Sequence, residues 1–367
     1  MFAARLSTQT AAVRPLEPMD YASTLAPGMR LAGAALVALT GVLLWHALGW
    51  PLPWVTGALV GTVCLAMTRF PVSCPPVLFL IAQWLIGAAV GARFTPAAAA
   101  QLTAHAGAIV VATVFSLALG LLLAWLLRHW ARLDAATAFL AAMPGVSGEM
   151  ARLAHEHGAR ADQVALVQTV RLCLVVILVP PTFRLLLPGM GSPVPDPATH
   201  EVQGQLWLLL IALGGGWGLK RLIGGTGWFV GALVAAAAAT ALGVPVVAAP
   251  APALADTAQL LLGWSLGSRF RRESLARLPR LLVTSTILNV AAIGASALLG
   301  LLLAHRWGLS VNSAILGAIP GGIAEMCITA ASLGEPVAIV AAFHVVRVIG
   351  LLLLAVPLLR RIAKANH

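Results

Sequence analysis

The chain has 367 residues, of which 60% are hydrophobic and only 10% are charged. A soluble domain alternates polar and apolar faces and carries about 25% charged residues, so a water-soluble enzyme or binding module is excluded. The formal net charge of +11 comes from Lys and Arg placed between apolar runs, where membrane topology signals sit; no helix-turn-helix, zinc-finger or ribbon pattern accompanies it, so nucleic acid is not an expected partner.

Residues 1–27 hold Arg5 and Arg14 but no apolar core followed by a cleavage site, and read as a disordered N-terminal tail rather than a signal peptide. Six apolar elements follow, near 29–48, 53–69, 76–92, 106–127, 135–155 and 163–187. A linker over 188–202 separates them from six more, near 205–219, 227–243, 252–268, 281–304, 312–332 and 336–359, ahead of a cytoplasmic tail at 362–367. Runs near 20 residues match a hydrocarbon core roughly 30 Å thick. The pattern predicts an all-α polytopic membrane protein.

The second six elements repeat the first. Met143-Pro144-Gly145-Val146-Ser147-Gly148-Glu149-Met150 returns as Ile319-Pro320-Gly321-Gly322-Ile323-Ala324-Glu325-Met326, an offset of 325 − 149 = 176 residues. The segment Ala82 to Phe94 returns as Ala258 to Phe270 at the same offset, including the spacing Gly87, Gly91, Arg93 against Gly263, Gly267, Arg269. Trp54 matches Trp228 at 174, and Arg171 matches Arg347 at 176. One membrane repeat therefore spans 28–187 and the other 203–361.

Charge favours opposite orientation of the two repeats. Arg5, Arg14 and Arg30 precede the first element and Arg360, Arg361 and Lys364 follow the last, which places both termini in the cytoplasm. The linker carries Asp196 and Glu201 but no Lys or Arg, and is expected outside. Cytoplasmic ends with an outside midpoint require an odd number of crossings per half: about five, plus one broken or re-entrant element. Either the Pro-Gly-Glu element dips in and returns, or it crosses and a shorter one such as 76–92 does not. Inverted repeats with interrupted helices are an architecture of secondary transporters, whose sites lie near the midplane.

The chemistry sits in that motif. Pro144, Gly145, Pro320 and Gly321 are the candidate helix breaks, because proline removes a donor and glycine admits unusual dihedrals; a simple kink is the plainer reading. Glu149 and Glu325 follow each break. A carboxylate at membrane depth costs about 2.5–3.5 kcal/mol on insertion scales, and bearing it twice in matched places marks candidate ion sites for a proton or Na⁺. Arg171 and Arg347 lie well inside the last element of each half, to hold a substrate carboxylate or to pair with the Glu of the same half. Gln168 and His344 each lie three residues before the Arg, on its helix face, and His344 is a candidate proton carrier.

Other features read as structural. The doubled Gly-x-x-x-Gly spacing reads as close helix packing with an interfacial Arg, ligand contact being the other reading. Cys64, Cys74, Cys173 and Cys327 lack CxxC spacing, and His155 and His157 have no counterpart in the second half, so no metal site, disulfide framework or cofactor is expected. Trp45, Trp50, Trp54, Trp125, Trp130, Trp207, Trp217 and Trp228 lie near element ends and suit an interfacial belt.

The doubled Pro-Gly-x-x-x-Glu-Met element with Arg171 and Arg347 downstream resembles the bacterial membrane AbrB family, over about 28–361. That family is distinct from the soluble DNA-binding regulators of the same name. Its members carry the labels ammonia monooxygenase and regulator of aidB expression, and the resemblance implies kinship with the cation/proton-antiporter and anion-transporter superfamily. Oxygenation on copper or iron needs convergent His and carboxylate ligands, and no His cluster recurs here. The expectation is a plasma-membrane protein that is not an enzyme: an ion-coupled secondary transporter of a small solute, anionic if the arginines receive it. The alternative is a membrane sensor or scaffold acting indirectly on gene expression. Its partners are the lipid bilayer, a small-molecule or ion substrate and, as an open option, further copies of itself in a homo-oligomer.

Overall fold

The computed structural model describes residues 27–68, 70, 72–144, 147–186, 202–223, 226–244, 251–270, 272 and 277–365. The N-terminal tail up to residue 26, Gly145, the linker from 188 to 201, and the side chain of Glu149 lie outside the described residues.

The first half contributes α1 (Pro27–Ala47), α2 (Pro53–Ala66), α3 (Pro76–Gly91), α4 (Pro96–Ala104), α5 (Ala106–Trp130), α6 (Ala135–Ala142), α7 (Ser147–Glu156) and α8 (Ala161–Leu186). The second contributes α9 (Val202–Ile223), α10 (Thr226–Ala241), α11 (Pro252–Gly267), α12 (Pro279–Trp307), α13 (Val311–Ala318), α14 (Ile323–Ser332) and α15 (Val337–Ala365). No strand occurs among the described residues.

Local chemistry sets the ends. Proline opens α2, α3, α4, α11 and α12, at a position where its missing N–H would have had no helical partner. Gly308 closes α12 at φ 67°, a left-handed conformation that costs glycine nothing. The short helix α4 falls where hydropathy alone shows only a connection. Thr95 caps it by accepting from the Ala98 N–H at 3.3 Å, with Pro96 in the first turn.

Among the described residues, five helices are long and apolar enough to cross a membrane: Gly28–Ala47, Ala106–Trp130, Ala161–Leu185, Val202–Leu222 and Pro279–Trp307. α3 and α4, bent by 81°, together form a sixth candidate. The outer faces are apolar, with Leu36, Leu43, Val114, Leu122, Leu298 and Leu302 exposed. In water such a surface would drive aggregation; in lipid it is the expected one.

Apart from α4, the helices form two groups, each drawing on both halves. α1, α2, α3, α9, α10 and α11 make a panel in which α2 packs on α11 and α3 on α10. α5 to α8 and α12 to α15 make a second group, where α12 packs on α8 and α5 on α15. Each of these contacts has its counterpart about 176 residues away. Glycines let the panel close. A Cβ on Gly263 would meet Ala58 Cβ at 3.0 Å, and one on Gly87 would meet Ala232 Cβ at 2.9 Å. The groups meet through a single apolar cluster that includes Val175 and Val176 of α8, Val55 and Leu59 of α2, and Leu262 and Leu266 of α11.

Candidate functional site

α6 and α7 are separated by the first Pro-Gly, and α13 and α14 by the second. The short helices begin alike. Asp134 accepts from the Thr137 N–H at 2.9 Å, and Ser310, 176 residues on, accepts from the Ser313 N–H at 3.1 Å. They also end alike: Met143 sits at φ −61°, ψ 133° and Ile319 at φ −60°, ψ 134°. Both precede proline, whose ring clashes with a helical residue before it and forces that residue extended. The sequence X-Pro-Gly therefore ends each helix inside the protein, where its last carbonyls lose their helical donors.

The neighbouring long helix supplies those donors. From α8, Gln168 Nε2 donates to Leu140 O at 2.8 Å, and Arg171 Nη1 to Ala142 O at 3.3 Å and Met143 O at 3.1 Å. From α15, His344 Nε2 meets Leu316 O at 3.1 Å. Arg347 Nη1 donates to Ile319 O at 3.0 Å, and Arg347 Nη2 donates to Gly321 O at 3.2 Å and to His344 Nδ1. A cation at the carbonyl end of a helix also meets the negative end of its dipole. The first job of the two arginines is thus to hold the broken ends.

Arg347 does not pair with Glu325: among the described residues no ion pair joins them, and its terminal nitrogens point to carbonyls. Glu325 stands third in α14, behind Gly322 as N-cap. Its carboxylate folds back against Gly322, where any Cβ would collide with it. A glutamate at that position reaching back to the cap residue has the layout of a capping box. Arg269, just past the end of α11, lies within electrostatic reach of Glu325, and its guanidinium stands 5.0 Å from the centre of the Phe79 ring. Reading Arg269 as a packing residue misses this. Its repeat mate Arg93 is exposed, so the motif alone gives no sign of which copy turns inward.

The polar site is incomplete as it stands. Arg171 and Arg347 are 4% and 2% exposed, and the Nε of each is buried without a partner, as is Gln168 Oε1. Among the described residues no three His, Cys, Asp or Glu side chains converge as metal ligands would. Glu335, between α14 and α15, accepts from Ser310, from Asn312 at 2.9 Å and from Ser313 at 2.7 Å, which ties the start of α13 to the loop behind α14.

Fold and site together define a multi-pass helical membrane protein with two matched, interrupted helices braced by buried arginines. The chain belongs to the AbrB family: the profile described as "Transition state regulatory protein AbrB" matches residues 1–99 and 54–363. Among similar proteins, "Uncharacterized protein YhjN" of Bacillus subtilis (strain 168) is 26% identical over 355 residues, covering 90% of each chain. "Putative regulator AbrB" of Escherichia coli (strain K12) is 23% identical over 317 residues, covering 83% of this chain and 88% of its own. No solved structure matches the chain.

Proposed function

We propose that this chain is an ion-coupled secondary transporter of a small anionic solute and not an enzyme. It would sit in the bacterial plasma membrane as a multi-pass protein with both termini cytoplasmic. The observation that carries the reading is the pair of matched helix breaks, each braced by a buried arginine with a donor to spare. Unwound backbone is tolerated at membrane depth only inside protein or along a cavity, and transporters use such breaks to hold ions and solutes. The start of α14 turns the positive end of its helix dipole toward an anion, and Glu325 offers a carboxylate to a proton or Na⁺. The division into a panel and a second group, meeting through one apolar cluster, suits movement of one group against the other.

A second reading, a membrane sensor or scaffold, draws on the same arginines. Their capping of α6 and α13 could be their whole role. Flux separates the two. The purified protein is placed in proteoliposomes, and uptake of labelled succinate, malate and inorganic phosphate is followed under an imposed pH or Na⁺ gradient. Gradient-dependent uptake that falls at least tenfold in Glu325→Gln, with an unchanged melting temperature, supports transport. Uptake no faster than in empty liposomes for every solute would leave the sensor reading.

A further inference from the structure

We propose that Arg171 and Arg347 form one shared site for a single small dianion, of the size of a short dicarboxylate, beside the carbonyl ends of α6 and α13 that they hold. The inference rests on the transport reading for its purpose but on the geometry for its chemistry. A site in each half, taking one anion each, is the arrangement it replaces.

The two arginines belong to one place. Arg347 holds the carbonyl of Gly321, and a Cβ on Gly321 would stand 3.0 Å from Val175 Cγ1, one helical turn beyond Arg171. In the other half, Leu351, one turn beyond Arg347, belongs to the same apolar cluster as Met143, whose carbonyl Arg171 holds. Arg347 thus holds a carbonyl that lies against the helix carrying Arg171, one turn from that residue, which brings the two guanidinium charges within electrostatic reach of each other.

Two buried like charges repel, and among the described residues no carboxylate pairs with either: that of Glu325 lies against Gly322. Each also keeps a buried Nε–H with no acceptor, an expensive state for a charged group. A monoanion would leave one cation over. A dianion matches both charges and offers acceptors to both Nε–H donors, with the N-terminal ends of α7 and α14 adding favourable dipoles. Guanidinium, planar and always charged, is the group for such a carboxylate pair. The rival is Glu149 acting as the counter-ion of Arg171.

The test is equilibrium binding to the purified full chain in nanodiscs, by isothermal titration with oxalate, malonate and succinate, and with propionate as the monoanion. One dianion per chain is expected, at least tenfold tighter than propionate. Arg171→Lys and Arg347→Lys keep the charge but lose the Nε donor and part of the grip on the helix ends, so each should weaken that dianion at least tenfold in protein that still folds, as read by a retained helical circular-dichroism signal. Two equivalents per chain, propionate binding equally well, either Lys variant binding normally, or no dianion binding would overturn the proposal. So would dianion binding that appears only in Glu149→Gln, because Glu149 would then occupy the arginine. Binding that needs both arginines in a protein that moves no solute would keep the site and remove the transport reading.

Discussion

Gln168 and His344 hold equivalent carbonyls in the two halves: Gln168 Nε2 donates to Leu140 O at 2.8 Å, and His344 Nε2 meets Leu316 O at 3.1 Å. Because a carbonyl can only accept, Nε2 of His344 carries the proton. Because Arg347 can only donate, Nδ1 of the same ring is the acceptor. His344 is therefore a neutral bridge with both nitrogens engaged, and a proton carrier only if Arg347 first lets go.

The amide in the other half suggests the substitution that tests this. His344→Gln keeps a donor for Leu316 O and is expected to leave the melting temperature and the pH profile of uptake near wild type. His344→Leu strands a carbonyl and an arginine N–H, and should cost about 1–3 kcal/mol. A large shift in the pH profile of His344→Gln, at normal stability, would restore His344 as the proton carrier.

Much of this arrangement is legible in the sequence, and the reason is local. Helix bounds follow from apolar runs closed by Pro and Gly, and X-Pro-Gly dictates an extended residue wherever it falls, so Met143 and Ile319 behave alike. The 176-residue offset marks which residues share a role. What the offset does not contain is direction. Pairing Arg347 with Glu325 is natural by spacing, yet the guanidinium turns to the freed carbonyls and the carboxylate turns back on Gly322. Unmet backbone acceptors are invisible in a residue alphabet. Arg269 is hidden for a related reason: its approach to Glu325 comes from the panel meeting the second group, not from any spacing along the chain.

Gly322 gives a way to disturb Glu325 without touching its charge. A Cβ at Gly322 would collide with the Glu325 carboxylate. Gly322→Ala should therefore displace the carboxylate from the start of α14, and is expected to slow uptake at least tenfold while the helical circular-dichroism signal is retained. Normal uptake by Gly322→Ala together with lost uptake by Glu325→Gln would mean that the resting position of the carboxylate is immaterial and only its titration counts.

The panel seam is predicted to be intolerant of side chains. A Cβ on Gly267 would lie 2.7 Å from Thr62 Cβ and 2.8 Å from the Leu59 carbonyl, inside the contact between α11 and α2. Gly267→Val should force these helices apart and cost about 1–3 kcal/mol, read as a lower melting temperature in detergent. Gly294, in the middle of α12, has open space around it. Gly294→Ala is expected to be neutral or to stabilise by up to about 1 kcal/mol through helix propensity. Equal melting temperatures for Gly267→Val and wild type would remove the close-packing account of the doubled glycine spacing.

Topology decides whether the two halves run in opposite directions. Met29 lies in the first turn of α1 and Val202 opens α9; both are exposed, and they hold corresponding places at the head of each half. Inverted repeats put these two positions on opposite sides of the membrane, and parallel repeats put them on the same side. The basic residues near α1 and the acidic, Lys- and Arg-free linker ahead of α9 predict Met29 inside and Val202 outside. The measurement uses single cysteines, Met29→Cys and Val202→Cys, in a background with the four native cysteines replaced, and a membrane-impermeant maleimide applied to intact cells. Val202→Cys should label in intact cells and Met29→Cys only after permeabilisation. Labelling of both, or of neither, before permeabilisation would make the repeats parallel. It would require an even number of crossings per half, and the two breaks would then no longer be related by an axis in the membrane plane.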